Sequence, residues 1–387
     1  MQIKYLDIVT FIQSIYGKGN IPLHRPVFSG NEKKYLSECI DSNFVSSAGS
    51  KVEEFENLVS SFVGSRYAIA TTNGTSALHT ALILVGVNKE DEVVTQSLTF
   101  IATCNAISYT GAKPVFVDVD IDTMGMSPSA LALFLDENAE RRNQYVWNKK
   151  TGRRISACVP MHTFGLPCRI NEILDICNLW GIPLFEDAAE SLGSYHEKRH
   201  LGTFGIMGTF SFNGNKVITT GGGGMIVTNN KVIADRAKHI TTTAKIPHSF
   251  EFFHDEIGFN YRLPNLNAAL GCAQMEQLPT MLAIKRKVTE AYIKFFSTSE
   301  INFVTPLIHS QATHWLNAII LPNKEERDAF ILLTNQNGVM TRPIWRLMSE
   351  LPMFRNCIND GLKNSSWLEQ RVVNIPSGVP DDPSQIP

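Results

Sequence analysis

From about residue 29 to residue 230 the chain alternates two hydrophobic periods, and this alternation restricts the possible folds more than any other feature. Helix-spaced segments such as "SGNEKKYLSECIDSN", "SKVEEFENLVSSFVG", "SALHTALILVGV", "FIATCNAISYTG" and "INEILDICNLWG" are separated by short apolar runs: "YAIATT", "DEVVTQS", "KPVFVDVD", "ISACVPM" and "IPLFEDA". Runs this short, apolar at consecutive positions, read as strands covered on both faces. Such strands, spaced by helices, predict an α/β layer structure around a mostly parallel sheet. Ser50 with Glu53 reads as a capping box opening the second helix. "MGTFSF" and "GMIVTN" are placed to pair with each other.

The character changes near residue 255. A long helical stretch, "LNAALGCAQMEQLPTMLAIKRKVTEAYIKFFSTS", is expected to break near Pro279. "HWLNAIILP", "KEERDAFILLTNQNG" and "VMTRPIW" then predict a small α+β unit, followed by a proline-rich tail. Ile8, Phe11, Ile12 and Ile15 have helical spacing. The expected organisation is an amino-terminal helical extension over 1–22, a large α/β domain over 23–255 and a small carboxy-terminal domain over 256–387, a division that 387 residues can sustain. A formal net charge of −2 gives no basic excess for nucleic acid or an anionic membrane. No apolar run is long enough to span a bilayer, and the amino terminus lacks a secretory signal pattern. Seven scattered cysteines without a C-x-x-C pair indicate neither a disulfide framework nor a zinc site, and fit a reduced, cytoplasmic setting. No metal site is expected; "HDE" at 254–256 is isolated.

Chemistry concentrates around "SFNGNKVITTGGGGMIV", residues 211–227. A phosphate loop is excluded by spacing, because G-x-x-x-x-G-K-[ST] is absent and the glycines follow Lys216 rather than precede it. No G-x-G-x-x-G follows an early strand. In "TTNGTSALHTAL" a strand gives way to a helix near Thr75, where backbone N–H groups and the hydroxyls of Thr75 and Ser76 suit an anion; the same pattern also reads as a simple helix cap. In "LFEDAAESLG", Glu186 and Asp187 sit at the carboxyl end of an apolar strand, where open α/β sheets bind ligands. A carboxylate there serves as a metal ligand, an acid/base, a partner for a cofactor's protonated nitrogen, or only as a cap or surface pair. An Asp at a strand end, then a serine-bearing strand, then a lysine together suit pyridoxal 5′-phosphate. That cofactor needs a lysine for its Schiff base and an acid beside its pyridine nitrogen. Phe100 supplies an aromatic at the next strand end, with Thr75, Ser76 and Ser211 as phosphate ligands.

On these residues the sequence resembles the DegT family of nucleotide-sugar aminotransferases, which are pyridoxal-phosphate enzymes of the aspartate-aminotransferase fold, type I. The matching segments run from "RPVFSGNEKKYL" through "NGTSALHTAL", "LTFIATCNAI", "PVFVDVD", "MHTFGLP", "EDAAESLGS", "FSFNGNKVITTGGGGMIVT" and "GFNYRLPNLNAALGCAQMEQL" to "TRPIW". Carried over motif by motif, the resemblance implies that Lys216 forms the Schiff base and Asp187 pairs with the pyridine nitrogen. Phe100 stacks on the ring, and Thr75, Ser76 and Ser211 hold the phosphate. Asn260 reaches the phosphate of a partner subunit, implying a homodimer with shared active sites. Glu190 stands where many relatives have Gln, and Gly222 where many have Glu. Glycines 221–224 are expected to leave open space around the lysine.

Within the family the likeness is to aminotransferases acting on 4-keto-6-deoxy N-acetylated sugars in the legionaminic-acid and bacillosamine pathways. The implied reaction moves an amino group from L-glutamate to the C-4 ketone of a nucleotide-linked sugar, UDP being preferred to GDP, for a surface glycan such as O-antigen. The cofactor passes through pyridoxamine 5′-phosphate on the way. Lysine at 216, where sugar dehydratases of the family carry histidine, favours transamination over a dehydratase-like activity or a non-catalytic regulator. His162, Arg25, Arg262, Arg342 and Trp345 are candidate substrate contacts, each with an alternative role in packing or ion pairing. "NKKTGRR" at 148–154 reads as a solvated basic hairpin.

Overall fold

The computed structural model describes residues 2–387; Met1, the first residue of the expected amino-terminal extension, lies outside them. Seven strands form the central sheet: β1 (Tyr67–Thr71), β2 (Glu92–Gln96), β3 (Lys113–Val117), β4 (Arg154–Val159), β5 (Glu186–Asp187), β6 (Gly208–Ser211) and β7 (Gly224–Thr228). Their order is β1-β7-β6-β5-β4-β2-β3, the link between β5 and β4 being the single bridges Cys158–Leu184 and Met161–Asp187. Only β7 runs against its neighbours, pairing Met225 with Ala70 on one side and with Phe210 on the other. The mostly parallel sheet and the pairing of "MGTFSF" with "GMIVTN" are thus both present. The "NKKTGRR" run turns between residues 148 and 154, where a hairpin joins the outer edge of β4.

Strand periodicity explains why the runs are apolar throughout. Val93 joins one core with Ala157, Val159 and Ile226. Val94, one residue on, joins another with Cys158 and Val115, because successive side chains point to opposite faces. Helices α4 (Gly74–Leu84), α5 (Ile101–Tyr109) and α8 (Lys231–Thr241) cover the first face. Helices α6 (Pro128–Asn138) and α7 (Ile170–Trp180) cover part of the second. The rest of that face meets α3 (Ser50–Val63) and the first half of α9 (Asn265–Phe296).

The second half of α9 enters a separate core. Val288, Tyr292 and Phe296 pack there with Ile8, Ile12 and Ile15 of α1 (Gln2–Tyr16) and with Phe330 of α10 (Lys324–Gln336). A small antiparallel sheet completes this core: β8 (Asn302–Phe303), β9 (Asn317–Ile320), β10 (Arg342–Pro343) and β11 (Val372–Ile375), in the order β8-β9-β11-β10. All seven cysteines are free thiols and none is exposed.

Two local expectations are corrected. Helix α9 runs unbroken through Pro279 for 32 residues. A proline removes one helical hydrogen bond, and here the row of buried side chains immediately before and after it, Met275, Leu278 and Met281, anchors the flanking turns to one core. Ser50 does not cap α3; it lies inside the helix, and Gly49 stands at the N-cap with no side chain to offer. The cap comes from α9 instead. Asn265 Oδ1 accepts the Lys51 N–H at 3.0 Å while its Nδ2 donates to Phe44 O at 2.6 Å. Gly49 is required there, since a Cβ would sit 2.0 Å from the Asn265 side chain.

Asn265 therefore holds two part-buried backbone groups at the junction of three segments. Asn265→Ala is expected to cost about 2–3 kcal/mol, read as a lower denaturant midpoint at unchanged slope. An unshifted midpoint would show that the cap is dispensable.

Candidate active site

The carboxyl ends of β1, β2, β5 and β6 open on one cleft of about 1290 Å³, lined among others by Gly74, Thr75, Phe100, Asp187, Glu190, Ser211 and Lys216. Lysines, acids and hydroxyls far apart in sequence meet there because parallel strands deliver their following loops to the same edge.

Consecutive carboxylates on β5 point opposite ways. Glu186 turns away from the cleft and accepts the backbone N–H groups of Gly202, Phe204 and Gly205 at 2.6–2.9 Å. It also bonds His162 Nε2 at 3.0 Å. Asp187 faces the cleft. Thr103 Oγ1 donates to its Oδ2 at 2.7 Å and the Ala189 N–H to its Oδ1 at 3.2 Å. Burial raises the Asp187 carboxyl above its ordinary value, and these donors together with Lys216 and His162 oppose that shift.

Lys216 follows the turn after β6. Its Nζ donates to Glu190 Oε1 at 3.1 Å and lies 3.8 Å from the centroid of the Trp315 indole, a cation–π distance. The indole is fixed in turn, Nε1 donating to Asn215 O at 2.6 Å. Glu190 Oε2 accepts the Phe164 N–H at 2.8 Å. Phe164 has a φ of 57°, a strained value for an aromatic residue, and its ring packs 5.0 Å from Trp345.

At the other end of the cleft, Asn73 caps α4, its Oδ1 taking the Ser76 N–H at 2.8 Å. The first turn of a helix leaves N–H groups without helical partners. Gly74 and Thr75 carry such groups on the cleft wall beside Ser211. A Cβ on Gly74 would lie 2.8 Å from the Ser211 Cβ, so a glycine here is what lets the helix start and the serine share one cradle. The cradle suits a phosphate, and the buried acid and the lysine suit a pyridine nitrogen and an aldehyde. The residues present fit pyridoxal phosphate.

Not every expected residue reaches the cleft. Phe100, Arg342 and Trp345 line it, as do Thr75 and Ser211. The Ser76 hydroxyl instead meets Thr72 Oγ1 at 3.1 Å. His162 is fully buried behind the cleft, where Nδ1 accepts the Cys168 N–H at 3.3 Å and Nε2 meets Glu186. Arg25 pairs with Asp381, while Arg262 bonds the exposed Asn260 side chain at 3.2 Å. The four glycines are also corrected: none of residues 221–224 lines the cleft. Gly224 serves close approach of β7 to the start of α4, a Cβ there falling 2.3 Å from Asn73 O. Thr103 and Trp315 are the additions, and only their places in "FIATCNAI" and "HWLNAIILP" hinted at them. His239, Asp255 and Glu256 gather elsewhere, but Arg236 already binds both Glu256 oxygens, so the group is an ion-pair network.

Comparison with known proteins agrees with this geometry. The model of the DegT/DnrJ/EryC1/StrS aminotransferase family matches residues 27–382. A GDP-perosamine synthase of Escherichia coli O157:H7 is 36% identical over 339 residues, covering 86% of this chain and 87% of the relative. One from Vibrio cholerae is 34% identical over 372 residues, covering 94% and 95%. Among solved structures, Helicobacter pylori PseC, an aminotransferase involved in the biosynthesis of pseudoaminic acid, superposes with a TM-score of 0.83 at 21% identity, covering 92% of this chain and 93% of that one. This last likeness bears on the fold.

Glu190 gives the site a measurable pH signature. Burial pushes its carboxyl up to about 7 against the opposing pull of Lys216 and the Phe164 N–H. The folded value lies above the unfolded one, so its contribution to stability is complete at acid pH and is lost as pH rises through about 7. In cofactor-free protein, Glu190→Gln is expected to flatten, though not abolish, the fall in Tm between about pH 5 and pH 8, because Asp187 shifts in the same sense. A variant with the wild-type pH profile would contradict this assignment.

Proposed function

The chain belongs to the DegT/DnrJ/EryC1/StrS aminotransferase family and is a pyridoxal-phosphate-dependent sugar aminotransferase; on that premise we propose that it transfers the amino group of L-glutamate to the C-4 ketone of a nucleotide-linked 4-keto-6-deoxy sugar, giving a 4-amino sugar nucleotide for a surface glycan. The observation that carries the proposal is the convergence of Lys216, Asp187 and the Thr75–Ser211 cradle on one cleft. Relatives named GDP-perosamine synthase support amination at C-4, perosamine being a 4-amino sugar. They lend no support to the expected preference for UDP over GDP, so GDP sugars stand first in the panel below.

In this reading Lys216 would bind the cofactor covalently, Asp187 would face its ring nitrogen, and Phe100 its ring. Thr75, Ser211 and the N–H groups at the start of α4 would hold its phosphate. When bound, the cofactor supplies an electron sink next to the reacting carbon. The protein supplies the rest. Asp187, kept from water and clamped by Thr103 and Ala189, holds a negative charge that favours a proton on the nitrogen opposite. Lys216, as a free amine, takes the proton from the substrate carbon and returns it. Glu190, at 3.1 Å and with a carboxyl near pH 7, is placed to exchange that proton.

We also propose a homodimer. Phe250, Phe252 and Ile257 are 90%, 82% and 88% exposed on the segment leading to Asn260, an apolar surface that a second copy would cover. Asn260 lies outside the cleft of its own protomer, as a residue serving the partner's site must. The same reading places the enzyme in the cytoplasm; among the described residues no helix is long and apolar enough to cross a membrane.

The test is incubation with nitrogen-15 glutamate and a panel of GDP- and UDP-linked 4-keto sugars, followed by product mass. The label is expected on one sugar nucleotide, and Lys216→Ala is expected to lower the rate at least about a thousandfold. Labelled glutamate that aminates no member of the panel, in a protein that binds the cofactor, would sink the proposed substrate class.

A further inference from the structure

A histidine on the cleft wall is left without a partner. His24 lines the cleft with Lys216, Trp315 and Asn374 and is part-buried. Neither of its ring nitrogens is open to solvent, and neither has a hydrogen-bond partner among the described residues. Leaving both unpaired costs stability that a phenylalanine or a leucine would not. The residue is nonetheless held in place. The Ile21 N–H donates to Gly338 O at 2.7 Å, and Leu23 O accepts the Ser377 N–H at 2.8 Å. Ser377 O and Trp315 O in turn accept Lys285 Nζ. Burial and the charges of Lys285 and Lys216 keep the pKa of His24 well below its ordinary value, so the ring is neutral, with one N–H donor and one acceptor. His24 also precedes residue 27, where the match to the family model begins, so it lies outside the segment that the model describes.

We propose that His24 hydrogen-bonds the C-3 hydroxyl of the acceptor sugar and so selects acceptors that carry one. This rests on the reading that the acceptor is a nucleotide-linked 4-keto-6-deoxy sugar. His24 lies close enough to Lys216 to feel its charge, so its ligand sits near the reacting carbon. In such a sugar C-4 is flanked by C-5, which bears the methyl group, and by C-3, which bears a hydroxyl. The C-2 substituent is one carbon farther away. A hydroxyl both donates and accepts, as a neutral imidazole does, so the two match at whichever nitrogen meets the sugar. A carboxylate of glutamate only accepts, and is better met by a full cation. The His24 ring turns about its Cβ–Cγ bond over a broad, twofold torsion, which exchanges each nitrogen with a carbon. That motion brings a nitrogen to a ligand in the cleft without moving the anchored backbone.

The test compares cofactor-loaded wild type, His24→Phe and His24→Asn on GDP- and UDP-linked 4-keto-6-deoxy sugars and their 3-deoxy counterparts. Binding of the corresponding unreactive 4-hydroxy sugar nucleotides, with and without the 3-hydroxyl, is measured by calorimetry. Wild type is expected to favour the 3-hydroxylated acceptor at least about tenfold in kcat/KM, and His24→Phe to lose that preference. His24→Asn, which keeps a donor and an acceptor, is expected to retain part of it. The half-reaction with glutamate, followed by the absorbance change of the cofactor, keeps its wild-type rate in both variants. The Tm of cofactor-free His24→Phe is expected not to fall, because an apolar ring replaces an unpartnered polar one. A preference unchanged in His24→Phe, a loss confined to the glutamate half-reaction, or wild-type binding that ignores the 3-hydroxyl overturns the proposal. If no keto sugar is aminated, but wild type binds the 4-hydroxy sugars with the 3-hydroxyl preference and His24→Phe binds them without it, the hydroxyl site stands and the proposed activity falls. If wild type aminates and His24→Phe keeps the preference, the role of His24 alone falls.

Discussion

Two carboxylates on consecutive residues of one buried strand hold this structure together and give it its chemistry. Because strand side chains alternate, Glu186 and Asp187 cannot share a task. Glu186 spends its charge on three backbone N–H groups and His162, locking the 202–205 loop under the centre of the sheet. Asp187 is left facing the cleft with a protein hydrogen bond to each oxygen. A buried carboxylate is costly unless paired, and what pairs Asp187 fully is a cation that enters the cleft. The fold therefore presents a charge that a protonated ring nitrogen would neutralise.

Much of this was legible along the chain because the determinants are local. An apolar strand that ends in E-D and a strand-borne serine five residues before a lysine are both written in contiguous residues, as are the α/β alternation and the apolar face of α1. What escaped detection involves partners distant in sequence. Trp315 lies about a hundred residues from Lys216, and nothing in "HWLNAIILP" announces that its indole will cover an amine. The true cap of α3 comes from Asn265, more than two hundred residues away, so the local Ser50–Glu53 pattern misled. Pro279 by its local effect predicts a break, which the packing of α9 on both sides of it overrides. The glycines after Lys216 read as clearance because they adjoin it in sequence; in space Gly224 adjoins Asn73, and Gly223 adjoins Thr220 and Leu263.

Two lysines stand near the cleft, Lys285 buried and Lys216 part-buried, and their surroundings separate structure from chemistry. Among the described residues Lys285 has no carboxylate partner. Its Nζ donates to the backbone carbonyls of Trp315 and Ser377, and burial lowers it to about 7. It ties α9 to the segment that carries Trp315, and so supports the cleft from behind. Lys216 meets a carboxylate and an aromatic face at the edge of an open cleft, with a hydroxyl cradle and a buried acid across from it. Only that setting offers room for a reacting partner.

The account stands or falls on Lys216 as the lysine that holds the cofactor. Borohydride reduction of the pyridoxal-phosphate-loaded protein, followed by proteolysis and peptide mass mapping, tests it directly. The account predicts the pyridoxyl group on the peptide containing Lys216 and on no other. A label on the peptide containing Lys285, or spread over surface lysines with residue 216 unmodified, would contradict it.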